Sequence, residues 1–97
     1  MNQKAISLGL TNTHFVTPHG LDRDSHYTTA LELAIITDCA LKNPKIAQVV
    51  STKEYTVNIN GYPKTLSNTN ELLGYLNGVN GVKTGYTSKA GRCLVTS

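Results

Sequence analysis

Asn60 and Gly61 stand between a run that alternates apolar and polar residues and a second run of strand-forming composition. Tyr55, Val57 and Ile59 alternate with Thr56 and Asn58, the period of two expected of a half-buried strand. An Asn-Gly pair directly after such a run is the strongest short-range sign of a β-hairpin, because a tight turn there needs positive φ at both central residues. Tyr62 to Leu66 then returns as the second strand. Pro63 has no N–H to give to a ladder, which places that strand at an edge. Antiparallel pairing is therefore expected over 53–67, and the rest of the fold has to accommodate it.

The N-terminal half reads as helical. Residues 2–9 look like the end of a helix, with Ala5, Ile6 and Leu8 on an apolar face and Gly9 as the stop. From Thr11 to Tyr27 the pattern breaks, and Asn, Thr, Pro18, Gly20 and Asp make a loop. Thr29 with Glu32 three residues later predicts a capping box, each side chain satisfying the other's free N–H. Leu31 to Leu41 follows with only Glu32, Thr37 and Asp38 strongly polar, which predicts a helix over 29–42 buried against a sheet. Asn43-Pro44 ends it, since the residue before proline disfavours helical geometry. Asn68 to Leu76 is expected to hold a short helical turn, and 79–86 with 91–97 a final hairpin. The class that results is α/β (α+β), an antiparallel sheet flanked by helices.

Charged residues make up 15% of the chain, against roughly 25% in ordinary globular proteins. The nine Lys and Arg residues give a net charge of +3 but are scattered from Lys4 to Arg92. Nucleic-acid binders cluster such residues, so no nucleic-acid partner is expected. The charge suits solubility, with a mild affinity for anionic cell-wall polymers as a secondary role. No run approaches the ~20 apolar residues of a membrane span, and the N-terminus has no secretory-signal pattern. Cys39 and Cys93 do not form a metal-ligand spacing. Two buried free thiols are expected, with a disulfide between them left open.

The run from Gly78 to Gly91 contains Lys83-Thr84-Gly85 between apolar strand material, Val79 and Val82 on one side and Leu94-Val95 on the other. Lys-Thr-Gly on a strand edge is one of three signatures of penicillin-binding proteins and serine β-lactamases. Other segments follow in order: Met1-Asn2-x-Lys4-Ala5-x-x-Leu8-Gly9-Leu10, Asn12-Thr13-x-Phe15, His19-Gly20-Leu21, His26-Tyr27-Thr28-Thr29-Ala30 and Asn68-Thr69-Asn70-x-Leu72-Leu73. Together with the Lys-Thr-Gly segment, this series resembles the D-alanyl-D-alanine carboxypeptidases, low-molecular-mass penicillin-binding proteins that trim peptidoglycan stem peptides. The resemblance covers essentially the whole chain, but only the later part of that family's catalytic domain. Residues 1–97 are thus expected to be a fragment of one peptidase domain, starting after its Ser-x-x-Lys and Ser-x-Asn motifs. Met1 looks like an internal methionine of the family. The implied fold is part of the β-lactamase/transpeptidase-like fold.

The resemblance also implies roles. Lys83 supplies a positive charge to the free carboxylate beside the scissile bond, and the Thr84 hydroxyl donates to the same carboxylate. Gly85 has no side chain, so a substrate backbone can approach closely and add to the strand edge. The Tyr86 N–H forms half of an oxyanion hole. Its other half, the nucleophilic serine and the general-base lysine are missing, because Ser7, Ser25, Ser51, Ser67, Ser88 and Ser97 all lack a Lys three residues on. No catalytic residue is therefore assigned within these residues, and the isolated chain is expected to be inactive and prone to self-association. Stem peptides and β-lactams are the implied partners, the cell envelope is the implied location of the parent protein, and no cofactor or metal is implied.

Rival patterns are weaker. Tyr75-x-Asn77 mimics a Tyr-x-Asn motif but lies six residues before Lys83, where packing is the better reading of Tyr75. The family's further carboxylate-binding arginine lies beyond Ser97, and Arg92 does not take its place. His14, His19 and His26 have spacings that match no standard zinc pattern, and are expected to order their loop by hydrogen bonding. Thr17-Pro18-His19 is a single ankyrin-like triplet without a repeat. Gly81-Val82-Lys83-Thr84 has a valine where a phosphate-binding loop needs glycine before lysine. The alternative function is a non-catalytic peptide- or cell-wall-binding module from a truncated gene.

Overall fold

The computed structural model describes residues 1–97 as helices α1 (Asn2–Ser7), α2 (Ala30–Leu41) and α3 (Pro44–Ser51) and strands β1 (Glu54–Ile59), β2 (Tyr62–Ser67), β3 (Val82–Thr87) and β4 (Gly91–Thr96). Asn60 and Gly61 adopt φ of 51° and 83°, the left-handed pair the turn requires, and β2 folds back on β1 in the register Ile59↔Tyr62 to Glu54↔Ser67. The class and the antiparallel pairing are as expected. The pairing is divided, however, into two separate two-stranded ladders, β1-β2 and β3-β4.

Gly9 stops α1 as expected, at φ 75°. The Gly9 N–H donates to Ile6 O at 2.9 Å and the Leu10 N–H to Ala5 O at 3.0 Å, the two bonds of a Schellman cap. Leu10 and Ala5, which such a cap brings together, are both buried. Leu73 is the third buried apolar residue, so the core is small.

Half of the predicted capping box forms. Thr29 Oγ1 accepts the Glu32 N–H at 3.1 Å. The Glu32 carboxylate does not return to Thr29; it turns outward from the helix and accepts the Asn12 N–H at 3.0 Å and the Thr13 hydroxyl at 2.7 Å. The loop supplies two donors, one of them the hydroxyl of the buried Thr13, and together they outcompete the single N–H at the helix start.

Asn43-Pro44 ends α2 and also begins α3. Asn43 Oδ1 accepts the Lys45 N–H at 3.0 Å and the Ile46 N–H at 3.4 Å, and Pro44 takes the first helical position, where its missing N–H costs nothing. Helix α2 packs on α3, and its apolar face is not covered by a sheet. Leu31 is 72% exposed, and neither hairpin offers a broad enough surface to cover it. The same holds for β1-β2. Tyr55, Val57, Ile59, Tyr62 and Leu66 share one face by register, yet Tyr55 and Tyr62 are 66% and 77% exposed. Both cysteines are free thiols, Cys39 half-buried and Cys93 exposed, which corrects the expectation that both are buried.

The loop between α1 and α2 is held by side chains. Asn2 brackets Phe15, accepting its N–H at 2.7 Å and donating to its carbonyl at 2.8 Å. The three histidines order the loop as expected. His14 Nδ1 donates to Ser25 O at 2.6 Å, His26 Nδ1 accepts the Val16 N–H at 2.8 Å, and His19 Nδ1 accepts the Leu21 N–H at 3.2 Å.

Candidate functional site

Strand β3 is held from three sides. Gly81, just before it, is buried against α3: a Cβ built there would lie 3.0 Å from Val50 Cγ2. Strand β4 pairs along one edge in the register Lys83↔Val95, Thr84↔Leu94, Gly85↔Cys93 and Tyr86↔Arg92. Beyond the strand ends, the Ser97 N–H donates to Gly81 O at 3.3 Å. Antiparallel ladders alternate hydrogen-bonded and non-bonded pairs. The Ser97 N–H gives Gly81 O one bond of such a bonded pair, while Ser97 O accepts the Asn80 N–H at 2.6 Å. Continuing the alternation from that bond, the backbone groups of Lys83, Gly85 and Thr87 turn toward β4. Those of Val82, Thr84 and Tyr86 turn toward the other edge, which no strand occupies.

Side chains along a strand alternate faces, so Lys83 and Thr84 can share a ligand only if one bends round the edge. Lys83 does so, its ammonium donating to the Thr84 carbonyl. Thr84 is half-buried, and its hydroxyl lies 2.6 Å from that of Thr69. Gly85 is exposed, with open space where a Cβ would sit. Tyr86 leaves its ring 71% exposed.

Thr69 comes from a tightly organised loop after β2. The Asn68 N–H donates to Lys53 O at 2.7 Å, and Asn68 Nδ2 to Thr52 O at 3.0 Å. Asn68 Oδ1 accepts the Asn70 N–H at 2.9 Å, and Asn70 Oδ1 the Leu72 N–H at 3.2 Å. Asn70 is 5% exposed and its Nδ2 has no partner. The segment 68–70 therefore carries Thr69 on two successive side-chain turns of the kind Asn favours. A one-turn hydrogen bond from the Leu76 N–H to Leu72 O, 3.0 Å, supplies the short helical turn that follows.

The structure thus brings Lys83, Thr84, Gly85 and Tyr86 to one open edge and adds Thr69, which sequence reasoning passed over as part of a pattern. Its signal was the polar residue between two turn-forming asparagines. Arg92 faces Tyr86 across the ladder. Tyr75 is not a packing residue, being 86% exposed. A cleft of about 480 Å³ lies between Val49 of α3 and Tyr55 and Leu66 at the base of the first hairpin, with Asn68 in its wall.

Comparison with known proteins shows the family and the fold. The family model for D-alanyl-D-alanine carboxypeptidase matches residues 1–97. The chain is 44% identical over its whole length to the D-alanyl-D-alanine carboxypeptidase DacF of Bacillus subtilis, and 43% identical to DacA of Escherichia coli. It spans about a quarter of those relatives, 25% and 24% of their lengths. Among solved structures, the Streptomyces K15 DD-transpeptidase superposes with a TM-score of 0.89 at 40% identity, covering 98% of this chain and 38% of that one.

Proposed function

Because the chain belongs to the D-alanyl-D-alanine carboxypeptidase family, we propose that it is one segment of a serine peptidase domain and that β3 is the strand that receives the substrate. In the complete enzyme, a serine and a lysine from preceding Ser-x-x-Lys and Ser-x-Asn segments complete the site. The serine attacks the carbonyl before the terminal D-alanine of a peptidoglycan stem peptide. D-alanine leaves, and water hydrolyses the acyl-enzyme. β-Lactams acylate the same serine. The parent enzyme works in the cell envelope, and the 97-residue chain alone is inert, since the attacking group is not among its residues.

The free edge of β3 carries this reading. A peptide laid along it meets the outward backbone groups of Thr84 and Tyr86, and the Lys83 ammonium already bends to that edge. Lys83 and the Thr84 hydroxyl hold the terminal carboxylate, a charge-assisted pair of donors. Gly85 lets the substrate backbone close in. The Tyr86 N–H stabilises the developing oxyanion, a donor whose loss costs about 10²–10³ in rate.

The test is Lys83→Ala in the complete enzyme, followed by labelling with a fluorescent penicillin. Acylation slower by about 10²-fold, with the fold intact by circular dichroism, is expected. Acylation at the wild-type rate overturns the carboxylate-clamp assignment.

A further inference from the structure

The hydroxyls of Thr69 and Thr84 lie 2.6 Å apart, and between two threonines either can donate. A hydroxyl has one proton and two lone pairs. A Thr84 that gives its proton to Thr69 has none left for a carboxylate and turns a lone pair toward it, which repels the ligand. A Thr84 that accepts from Thr69 keeps its proton free. From this geometry we infer that Thr69 is a positioning residue: it donates to Thr84 and so sets the Thr84 hydroxyl to donate to the substrate's terminal carboxylate. The inference rests on the carboxylate-clamp reading of β3.

The loop is built for such a task. Thr69 is exposed and fills no core, so packing does not explain its place. Its two neighbours are tied into the fold, Asn68 by bonds to Thr52 and Lys53 and Asn70 by burial. The hydroxyl is therefore presented from fixed backbone, which is what a directional hydrogen bond requires. The consequence is selectivity for charge. The Thr69 donor strengthens binding of ligands that accept from Thr84, and most for a charged carboxylate; a capped substrate keeps a neutral carbonyl acceptor and gains less.

The experiment compares Thr69→Val, Thr69→Ser, Thr84→Val and Thr69→Val/Thr84→Val in the complete enzyme. Each is assayed on a peptide ending in D-Ala-D-Ala and on the same peptide with a C-terminal amide. Thr69→Val is expected to lower kcat/KM on the free acid about tenfold, and on the amide less than about twofold. Thr69→Ser restores the wild-type value, and the double variant is no worse than Thr84→Val. Thr69→Ala carries the same expectation and covers the case in which valine disturbs the loop. Equal losses on acid and amide, or a double variant about tenfold below Thr84→Val, assign Thr69 an independent or merely structural role and overturn the inference. Wild-type activity on the free acid in Thr84→Val refutes the clamp itself, and the relay with it.

Discussion

Glu32, at the start of α2, reaches back across 19 residues of chain to accept the Thr13 hydroxyl at 2.7 Å. The same carboxylate takes the Asn12 N–H at 3.0 Å, and Thr13 passes a further hydroxyl contact to Thr28 at 2.8 Å. One buried acid thus fastens the start of the first loop to the helix that follows it.

Removing that acid takes the acceptor from the Asn12 N–H and from the buried Thr13 hydroxyl, which keeps only its contact with Thr28. Glu32→Ala is expected to destabilise the complete enzyme by about 2 kcal/mol, read as a lower urea midpoint. Amide exchange at Asn12 should rise first. Glu32→Gln keeps one acceptor and should fall between. An unchanged midpoint in the alanine variant would show that water replaces the carboxylate at no cost.

Gly81 leaves no room for a side chain, with Val50 Cγ2 3.0 Å from where its Cβ would be. Valine is stiff at χ1, so it cannot swing aside. Gly81 also adopts φ 156°, which residues with a side chain rarely take. Gly81→Ala should therefore cost about 1–3 kcal/mol or more by overpacking and backbone strain together and should displace β3 enough to slow penicillin acylation. Val50→Ala in the same protein should recover the overpacking part of both losses and leave the backbone part. Additive losses in the double variant would place the effect in the backbone of residue 81 and remove Val50 from the account.

The isolated 97-residue chain exposes Leu31, Val49, Tyr55, Tyr62 and Ile59 at half their surface or more. Apolar surface left open on this scale favours association. Sedimentation should show self-association or an ill-packed chain, and a fluorescent penicillin should leave it unlabelled. A monomer with a sharp thermal transition would contradict the first expectation, and covalent labelling the second.

Local chemistry made much of this legible from sequence. Asn60-Gly61 has one good use between two strand-like runs, and the fold adopts it. Gly9 and Thr29 mark the ends of α1 and α2 for equally local reasons. Helix α3 was missed because Asn43-Pro44 was read only as a stop; an Asn before a Pro is also a helix start, and Ile46, Val49 and Val50 at helical spacing confirmed it. The outward turn of Glu32 was not legible, because its partners, Asn12 and Thr13, come from a loop without a repeating pattern. Lys83 to Tyr86 stood out as a motif, whereas Thr69 gained meaning only when folding set it beside Thr84. The open faces of α2 and the first hairpin had the same cause. Periodicity says which side of an element is apolar and nothing about what lies across from it.

The unoccupied edge of β3 carries a cost. Any strand edge that can accept a peptide can accept another strand, including its own copy from a neighbouring molecule, and such pairing propagates without limit. A lysine bent over the edge is a common safeguard, since two such edges brought together would face each other with like charge. Bent toward the open edge, the Lys83 ammonium sets a positive charge against a second copy of the same edge and so opposes that pairing.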